Sequence, residues 1–200
     1  MNNETTTVLR IGDMLPDLEL AAYDPKKDEE VKLKIGDYKG KNWLIFFFYP
    51  ADFTFVCPTE LEEMAGDYEA FKKEGAEVLS ASTDTVFAHK AWHDNSNAIK
   101  KVQFPMVADP TGALAKLFGT YIPVGGDAGL SLRGSFIVDP DGVLKTIEIH
   151  DNAIGRSAKE LLRKLRAAKF VREHGGNVCP ASWEPGGETL KPGMDLVGKI

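Results

Sequence analysis

Cys57 stands where a run of β-formers hands over to a helical pattern. Upstream lies Trp43-Leu44-Ile45-Phe46-Phe47-Phe48-Tyr49-Pro50, a continuous apolar run that suits a strand buried on both faces. Downstream, Leu61, Met64, Ala65, Tyr68 and Phe71 fall on one stripe of a helix. A strand that ends in a loop and feeds a helix start is where α/β folds place their chemistry. The first N–H groups of a helix lack intrahelical partners and favour an anion, and a thiolate is an anion. A cysteine with a pKa near ~8.5 is only about 3% thiolate at pH 7, and a pKa of roughly 6 makes it about 90% thiolate. That shift takes about 3.4 kcal/mol, whereas a helix terminus supplies about 0.3–1 and at most about 2. Cys57 as an activated nucleophile therefore needs a second cation, and the competing reading is a small buried hydrophobe. Arg133, in Leu130-Ser131-Leu132-Arg133-Gly134-Ser135-Phe136, is the best candidate for that cation. A guanidinium stays charged and offers several donors, although a lone arginine before a strand is more often a solvated one. Cys179 is the only other thiol in the chain.

The residues around these groups match a family. Pro50-x-x-x-Thr54-x-x-Cys57 is the P-x-x-x-T-x-x-C signature of peroxiredoxins, and Phe48 to Glu60 is similar to its typical two-cysteine form. The resemblance implies that Cys57 attacks the O–O bond of a peroxide and becomes a sulfenic acid. It implies that Arg133 stabilises the thiolate and polarises the peroxide, that Thr54 hydrogen-bonds the peroxide, and that Pro50 shields the pocket from water. Glu60 then reads either as a partner that orients Arg133 or as an acid favoured by the first turn of the helix. Cys179 lies in Val178-Cys179-Pro180-Ala181-Ser182-Trp183, which resembles the family's V-C-P-A-x-W motif. Its implied role is to resolve the sulfenic acid into a disulfide with loss of water, and its alternative is an idle thiol on a tail. Spacing leaves open whether the two thiols meet in one chain or across a dimer, and the resemblance implies the inter-subunit arrangement. It also implies a homodimer assembling to a decamer, an external flavoprotein disulfide reductase or thioredoxin as reductant, and no metal, flavin or haem. The closing residues, Asp195 to Ile200, resemble bacterial members of the family and lack the Tyr-Phe element of many eukaryotic ones. That absence implies comparative resistance to overoxidation.

The elements that must hold these residues follow in order. Asp13 to Leu20 and Val31 to Leu33 read as short edge elements, with Pro16 barring a central strand. Gly75 marks the end of the Cys57 helix, and Ala76 to Ser82 reads as the next strand. Asp84 or Thr85 can cap a helix through Phe87, His89 and Trp92. Pro105 to Pro110 is a short strand into a turn, and Thr111 opens a helix holding Leu114, Leu117 and Phe118 that Gly119 closes. Ser135 to Val138, then Asp139-Pro140-Asp141-Gly142, then Val143 to Ile149 is a hairpin signal. Ser157-Ala158-Lys159-Glu160 is a capping box that opens an amphipathic helix. From Gly175 periodicity is lost. The order predicts an α/β thioredoxin-like fold, a central mixed sheet flanked by helices over residues 1–174, with a C-terminal arm over 175–200. Glu60 stands where a thioredoxin's second active-site cysteine would be, which argues against dithiol exchange at this loop.

Composition narrows the function classes. A net charge of −6 gives no basic face for nucleic acid or an acidic membrane. No apolar run is long enough to span a bilayer and no secretory pattern opens the chain, so a cytoplasmic location is expected. Two cysteines in 200 residues make no disulfide framework. His89, His93, His150 and His174 are scattered, and His89 and His93 at i, i+4 lack a third metal ligand. Gly125 to Gly129 does not follow the dinucleotide fingerprint. A holdase-type chaperone is the rival from another class, and peroxide-dependent thiol consumption separates the two.

Overall fold

The computed structural model describes residues 7–200. They fall into two compact units, one ending at Ala158 and the other spanning Lys159–Ile200. The first unit holds seven strands: β1 (Glu19–Asp24), β2 (Glu29–Lys34), β3 (Trp43–Phe48), β4 (Ala76–Ser82), β5 (Met106–Ala108), β6 (Arg133–Val138) and β7 (Leu144–His150). They form one mixed sheet in the order β2-β1-β5-β4-β3-β6-β7. β3 pairs parallel to β4 and antiparallel to β6, so the expected buried strand lies inside the sheet. Helices α1 (Cys57–Lys73), α2 (Val86–Asn95) and α3 (Ala113–Leu117) connect the strands. The fold is α/β and thioredoxin-like, as the element order predicts.

Two expectations shift. The first strand starts at Glu19, beyond Pro16, and β1 is not an edge: it pairs with β2 on one side and β5 on the other. The edge role falls to β2. The helix expected from Thr111 starts at Ala113, because Gly112 takes a φ of +66°. Its first turn is held instead by the Asp109 carboxylate, which accepts from Leu114 N at 3.1 Å and Ala115 N at 2.8 Å.

Successive side chains of a strand point to opposite faces, and β3 divides accordingly. Leu44, Phe46 and Phe48 join Phe118, Phe136, Leu114 and Val138 in one apolar cluster. Phe118 sits at the centre of its rings, with centroids 4.8 Å from Phe46, 5.1 Å from Phe48 and 4.7 Å from Phe136. Phe47 and the following Tyr49 face the other way. The Arg156 guanidinium carbon lies 3.5 Å from the Phe47 ring centroid, and Tyr49 meets Trp92 of α2 at 5.9 Å. β6 has the same parity: Phe136 and Val138 join the apolar cluster, while Ser135 pairs with Phe47 across the strands. Arg133, two residues from Ser135, shares its face.

The second unit contains all but the first residue of α4 (Ala158–Glu173) and the segment that follows. Val178 and Leu190 exchange backbone hydrogen bonds of 2.8 and 3.1 Å, which closes that segment into a loop. Trp183 packs on Phe170 of α4 with centroids 4.9 Å apart and donates from Nε1 to Gly187 O at 3.2 Å. Residues after 175 thus lack helix or strand periodicity but are not featureless.

Gly134 of β6 has no room for a side chain. A Cβ there meets Phe136 Cε2 and Thr120 Cγ2, each at 2.6 Å. Gly134→Ala is expected to cost about 1–3 kcal/mol. Urea unfolding should show a lower midpoint at unchanged m, and an unaltered midpoint would contradict this packing.

Candidate functional site

Cys57 is the first residue of α1, and its side chain is fully buried. The Arg133 Nη1–H donates to Cys57 Sγ at 3.3 Å and to Glu60 Oε2 at 2.6 Å. Arg133 Nε donates to the carbonyl of Asn152 at 2.9 Å, which fixes the guanidinium plane. Arg133 itself is the first residue of β6, inside the strand rather than ahead of it. Glu60, one turn into α1, is placed beside Arg133, and the first-turn position and the partner reading are both met by one side chain.

The chemistry-based reading of the sequence missed Arg156. This side chain is 1% exposed and wraps Glu60. Its backbone N and its Nε donate to Glu60 Oε1 at 2.8 and 2.9 Å, and Nη2 donates to Glu60 Oε2 at 3.1 Å. Nη1 donates to Gly134 O at 2.7 Å and Ser135 Oγ at 3.1 Å. The available signal was an arginine between Gly155 and the Ser157 cap, in a segment read only as a helix start. Burial acts to raise the Glu60 carboxyl, but the hydrogen bonds and charge of Arg156, joined by Arg133, hold it below the usual range. Burial pulls Arg156 down and Glu60 opposes this, and a guanidinium so placed remains charged.

Two buried guanidiniums face the buried Glu60 carboxylate, and the charge of Glu148 also reaches Arg156. Buried charges are costly unless they are paired and hydrogen-bonded. Arg133 turns a donor of this paired cluster to the Cys57 sulfur.

The loop from β3 to α1 leads directly into Cys57. Pro50 is buried beyond the end of β3. Thr54 Oγ1 donates to the carbonyl of Ala51 at 2.9 Å, which leaves its oxygen lone pairs as acceptors. Phe53 takes a φ of +56°, in the left-handed region that non-glycine residues rarely occupy. Pro50, Thr54, Cys57, Glu60 and Arg133 therefore all lie on or beside the β3–α1 junction and the head of β6.

Cys179 lies in the second unit. Its sulfur is 3.8 Å from the carbonyl of Ala167, and both cysteines are free thiols. Arg163 donates to Trp183 O at 3.1 Å and binds Glu160 through Nε and Nη2, each at 2.8 Å. Burial pushes the Cys179 thiol up, and the Arg163 charge opposes this in part. Among the described residues no group of three or more His, Cys, Asp or Glu is arranged to hold a metal ion, and no helix is long and apolar enough to cross a membrane.

A thioredoxin-like sheet with a buried thiol at the head of a helix, in the grip of a guanidinium, defines a thiol-dependent redox enzyme. Comparison with known proteins agrees. Residues 11–147 match the AhpC/TSA family. Alkyl hydroperoxide reductase C of Staphylococcus haemolyticus is 52% identical over 179 residues, 90% of this chain and 93% of that protein. The Staphylococcus aureus (strain Mu50) protein of the same name is 50% identical over the same length and shares of each chain. The crystal structure of Enterococcus faecalis AhpC superposes with a TM-score of 0.78 at 48% identity, covering 85% of this chain and 98% of that one. A reduced 2-Cys peroxiredoxin of Plasmodium vivax superposes with a TM-score of 0.85 at 29% identity, covering 92% of this chain and 94% of that one. The chain belongs to the AhpC/TSA family and is a peroxiredoxin.

Glu60→Gln should expose the charge balance. Removing one partner of a buried ion pair costs about 3–5 kcal/mol. A carboxyl held low in the folded state stabilises above its unfolded pKa of about 4.3 and loses that contribution as pH falls through the folded value. The wild type and Glu60→Gln should thus differ most near pH 7 and converge in acid. Urea midpoints against pH test this, and a constant gap down to acid would contradict it.

Proposed function

We propose that this chain is a thiol peroxidase that reduces hydrogen peroxide and organic hydroperoxides to water and alcohols. The observation that carries the reading is the hydrogen bond from Arg133 Nη1 to Cys57 Sγ at the head of α1. In the proposed reaction the Cys57 thiolate attacks the distal peroxide oxygen and the O–O bond breaks. The leaving alkoxide or hydroxide takes up a proton, and Cys57 is left as a sulfenic acid. Arg133 supplies donors to the peroxide oxygens as charge develops on them. Thr54, whose own proton is committed to Ala51, accepts from the hydroperoxide O–H. Donor on one side and acceptor on the other give the substrate a single orientation. Pro50 keeps water off the sulfur, and Glu60 orients Arg133.

In the second step Cys179 of a partner subunit attacks the Cys57 sulfenic acid, water leaves, and a disulfide joins the two sulfurs. An external dithiol protein, a flavoprotein disulfide reductase or thioredoxin, returns both thiols. The working form is a homodimer within a decamer, in the cytoplasm, with residues 1–174 as the peroxidase domain and 175–200 as the arm that carries the resolving thiol. The V-C-P-A-x-W match around Cys179 supports this step, and the 48–52% identity to AhpC proteins supports the rest.

Cys57→Ser should abolish peroxide-dependent thiol consumption; retained turnover would end the reading of Cys57 as the attacking thiol, and a wild type that consumes none would favour a holdase. Arg133→Ala should slow Cys57 oxidation by about 10²–10³-fold, the loss typical of one removed transition-state donor. After one equivalent of peroxide, a non-reducing gel should show a covalent dimer that both Cys57→Ser and Cys179→Ser remove. A monomer-only gel with full thiol loss would place resolution within one chain.

A further inference from the structure

His89 and Asp52 are buried, titratable and unused by the chemistry above. His89 is wholly buried on α2, and its side chain and that of Asp52 are 0% and 1% exposed. His89 Nδ1 is 2.8 Å from Asp52 Oδ2, and Nε2 is 3.1 Å from the carbonyl of Val107 on β5. Tyr49 OH donates to Asp52 Oδ1 at 2.8 Å. The backbone N–H of Asp52 donates to Asp84 Oδ2 at 2.8 Å, an oxygen that also accepts from Ser82 Oγ at 2.7 Å. A carbonyl at one ring nitrogen and a carboxyl at the other place one proton between Asp52 and His89, whichever formally carries it. Burial pushes the Asp52 carboxyl up, and His89 opposes this. The Tyr49 phenol is held well above its usual value by burial and Asp52, so it stays a donor.

This clamp ties the β3–α1 loop to α2 and, through His89 Nε2, to β5. Asp52 is two residues from Pro50 and two from Thr54, and next to it is Phe53 at a φ of +56°. One turn along α2 from His89, Trp92 meets the Phe53 ring at 6.0 Å and the Tyr49 ring at 5.9 Å. Left-handed backbone at a bulky residue persists only where its surroundings fix it. Here one helix grips the strained residue itself and, ahead of it, Tyr49 and Asp52.

We propose that α2, acting through the Asp52–His89 hydrogen-bonded pair and Trp92, is the positioning device that sets Pro50 and Thr54 over Cys57. The inference rests on the peroxidase reading and deepens it. His89 and Asp52 touch no substrate: they fix the loop that does. The Cys57–Arg133–Glu60–Arg156 cluster has its own anchors on β6 and at Asn152, so the two systems are separable. Loss of the clamp impairs peroxide alignment without removing the guanidinium from the sulfur.

Two single-turnover rates are compared for each variant: oxidation of Cys57 by hydrogen peroxide and alkylation of Cys57 by iodoacetamide. The second needs the thiol but no peroxide geometry. His89→Leu and Asp52→Ala are expected to slow oxidation tenfold or more while alkylation stays within twofold of wild type. Asp52→Asn keeps every bond, since its amide donates to neutral His89 Nδ1 and its oxygen accepts from Tyr49. It is expected within threefold of wild type. His89→Gln, with one amide for two acceptors, is the second variant if His89→Leu does not fold, and a several-fold loss confined to oxidation is expected. Oxidation at the wild-type rate in His89→Leu or His89→Gln overturns the proposal. So does a parallel fall of both rates, the mark of a merely structural role, and so does Asp52→Asn as slow as Asp52→Ala. A wild-type protein that consumes no peroxide defeats the peroxidase reading itself, which is a different result from any of these.

Discussion

The site depends on one buried ion-pair cluster. Arg156 binds Glu60 through three of its own N–H groups, and Arg133 adds a further donor to the same carboxylate at 2.6 Å. The Arg133 Nη1 that meets Glu60 also donates to the Cys57 sulfur. Burying such a cluster is worthwhile only if each member is hydrogen-bonded, because a half-satisfied buried network costs more than an apolar core. The donors of Arg133 and Arg156 meet this demand with backbone carbonyls at Asn152 and Gly134. Phe47 closes the remaining side of Arg156 with its ring face, where a cation is favoured.

The sheet makes this possible by giving its two faces different work. One face is a phenylalanine cluster with Phe118 at its centre, held by ordinary burial of apolar area. The other carries Phe47, Tyr49, Arg133 and Ser135, with Arg133 bonded to Cys57, Glu60 and Asn152. Stability and reactivity thus sit on opposite sides of the same strands. A strained residue such as Phe53 can be held on the reactive side because the apolar side anchors β3 independently.

Much of this was legible in the sequence, for identifiable reasons. Trp43 to Phe48 is apolar at every position and rich in β-formers, which suits a strand covered on both faces. The P-x-x-x-T-x-x-C spacing marks one loop, so its members are near each other by chain connectivity alone. A thiolate needs more stabilisation than a helix terminus provides, a physical demand that points outside the motif to a cation, and the family resemblance singles out Arg133 as that cation. Arg156 was not found, since nothing local separates a buried ion-pair arginine from a solvated one ahead of a helix cap. His89 was read as a scattered histidine. Its partner Asp52 lies 37 positions away, and neither residue's neighbours disclose the pairing. The Asp109 cap failed for a related reason: its amides are five and six residues ahead, beyond the usual capping spacing.

What joins these distant residues is strand register. Phe47 stands opposite Ser135 and Phe46 opposite Phe136. A slip of β6 by one residue exchanges its faces, sending Arg133 and Ser135 into the phenylalanine cluster and Phe136 into the charged pocket. Both outcomes bury a group where it has no partner, so the alternative register is excluded by cost on each face at once. Gly134 reinforces this, because the narrow space at its Cα admits no side chain. The irregularity in β6 pairing falls at Ile137 and Val138, on the far side of Phe136 from the site, so the stretch that carries Arg133 keeps an unbroken ladder with β7. The reactive sulfur is set by α1, but the cation that serves it is set by a pairing register. The two meet because β3, which leads into α1, is also the strand against which β6 is aligned.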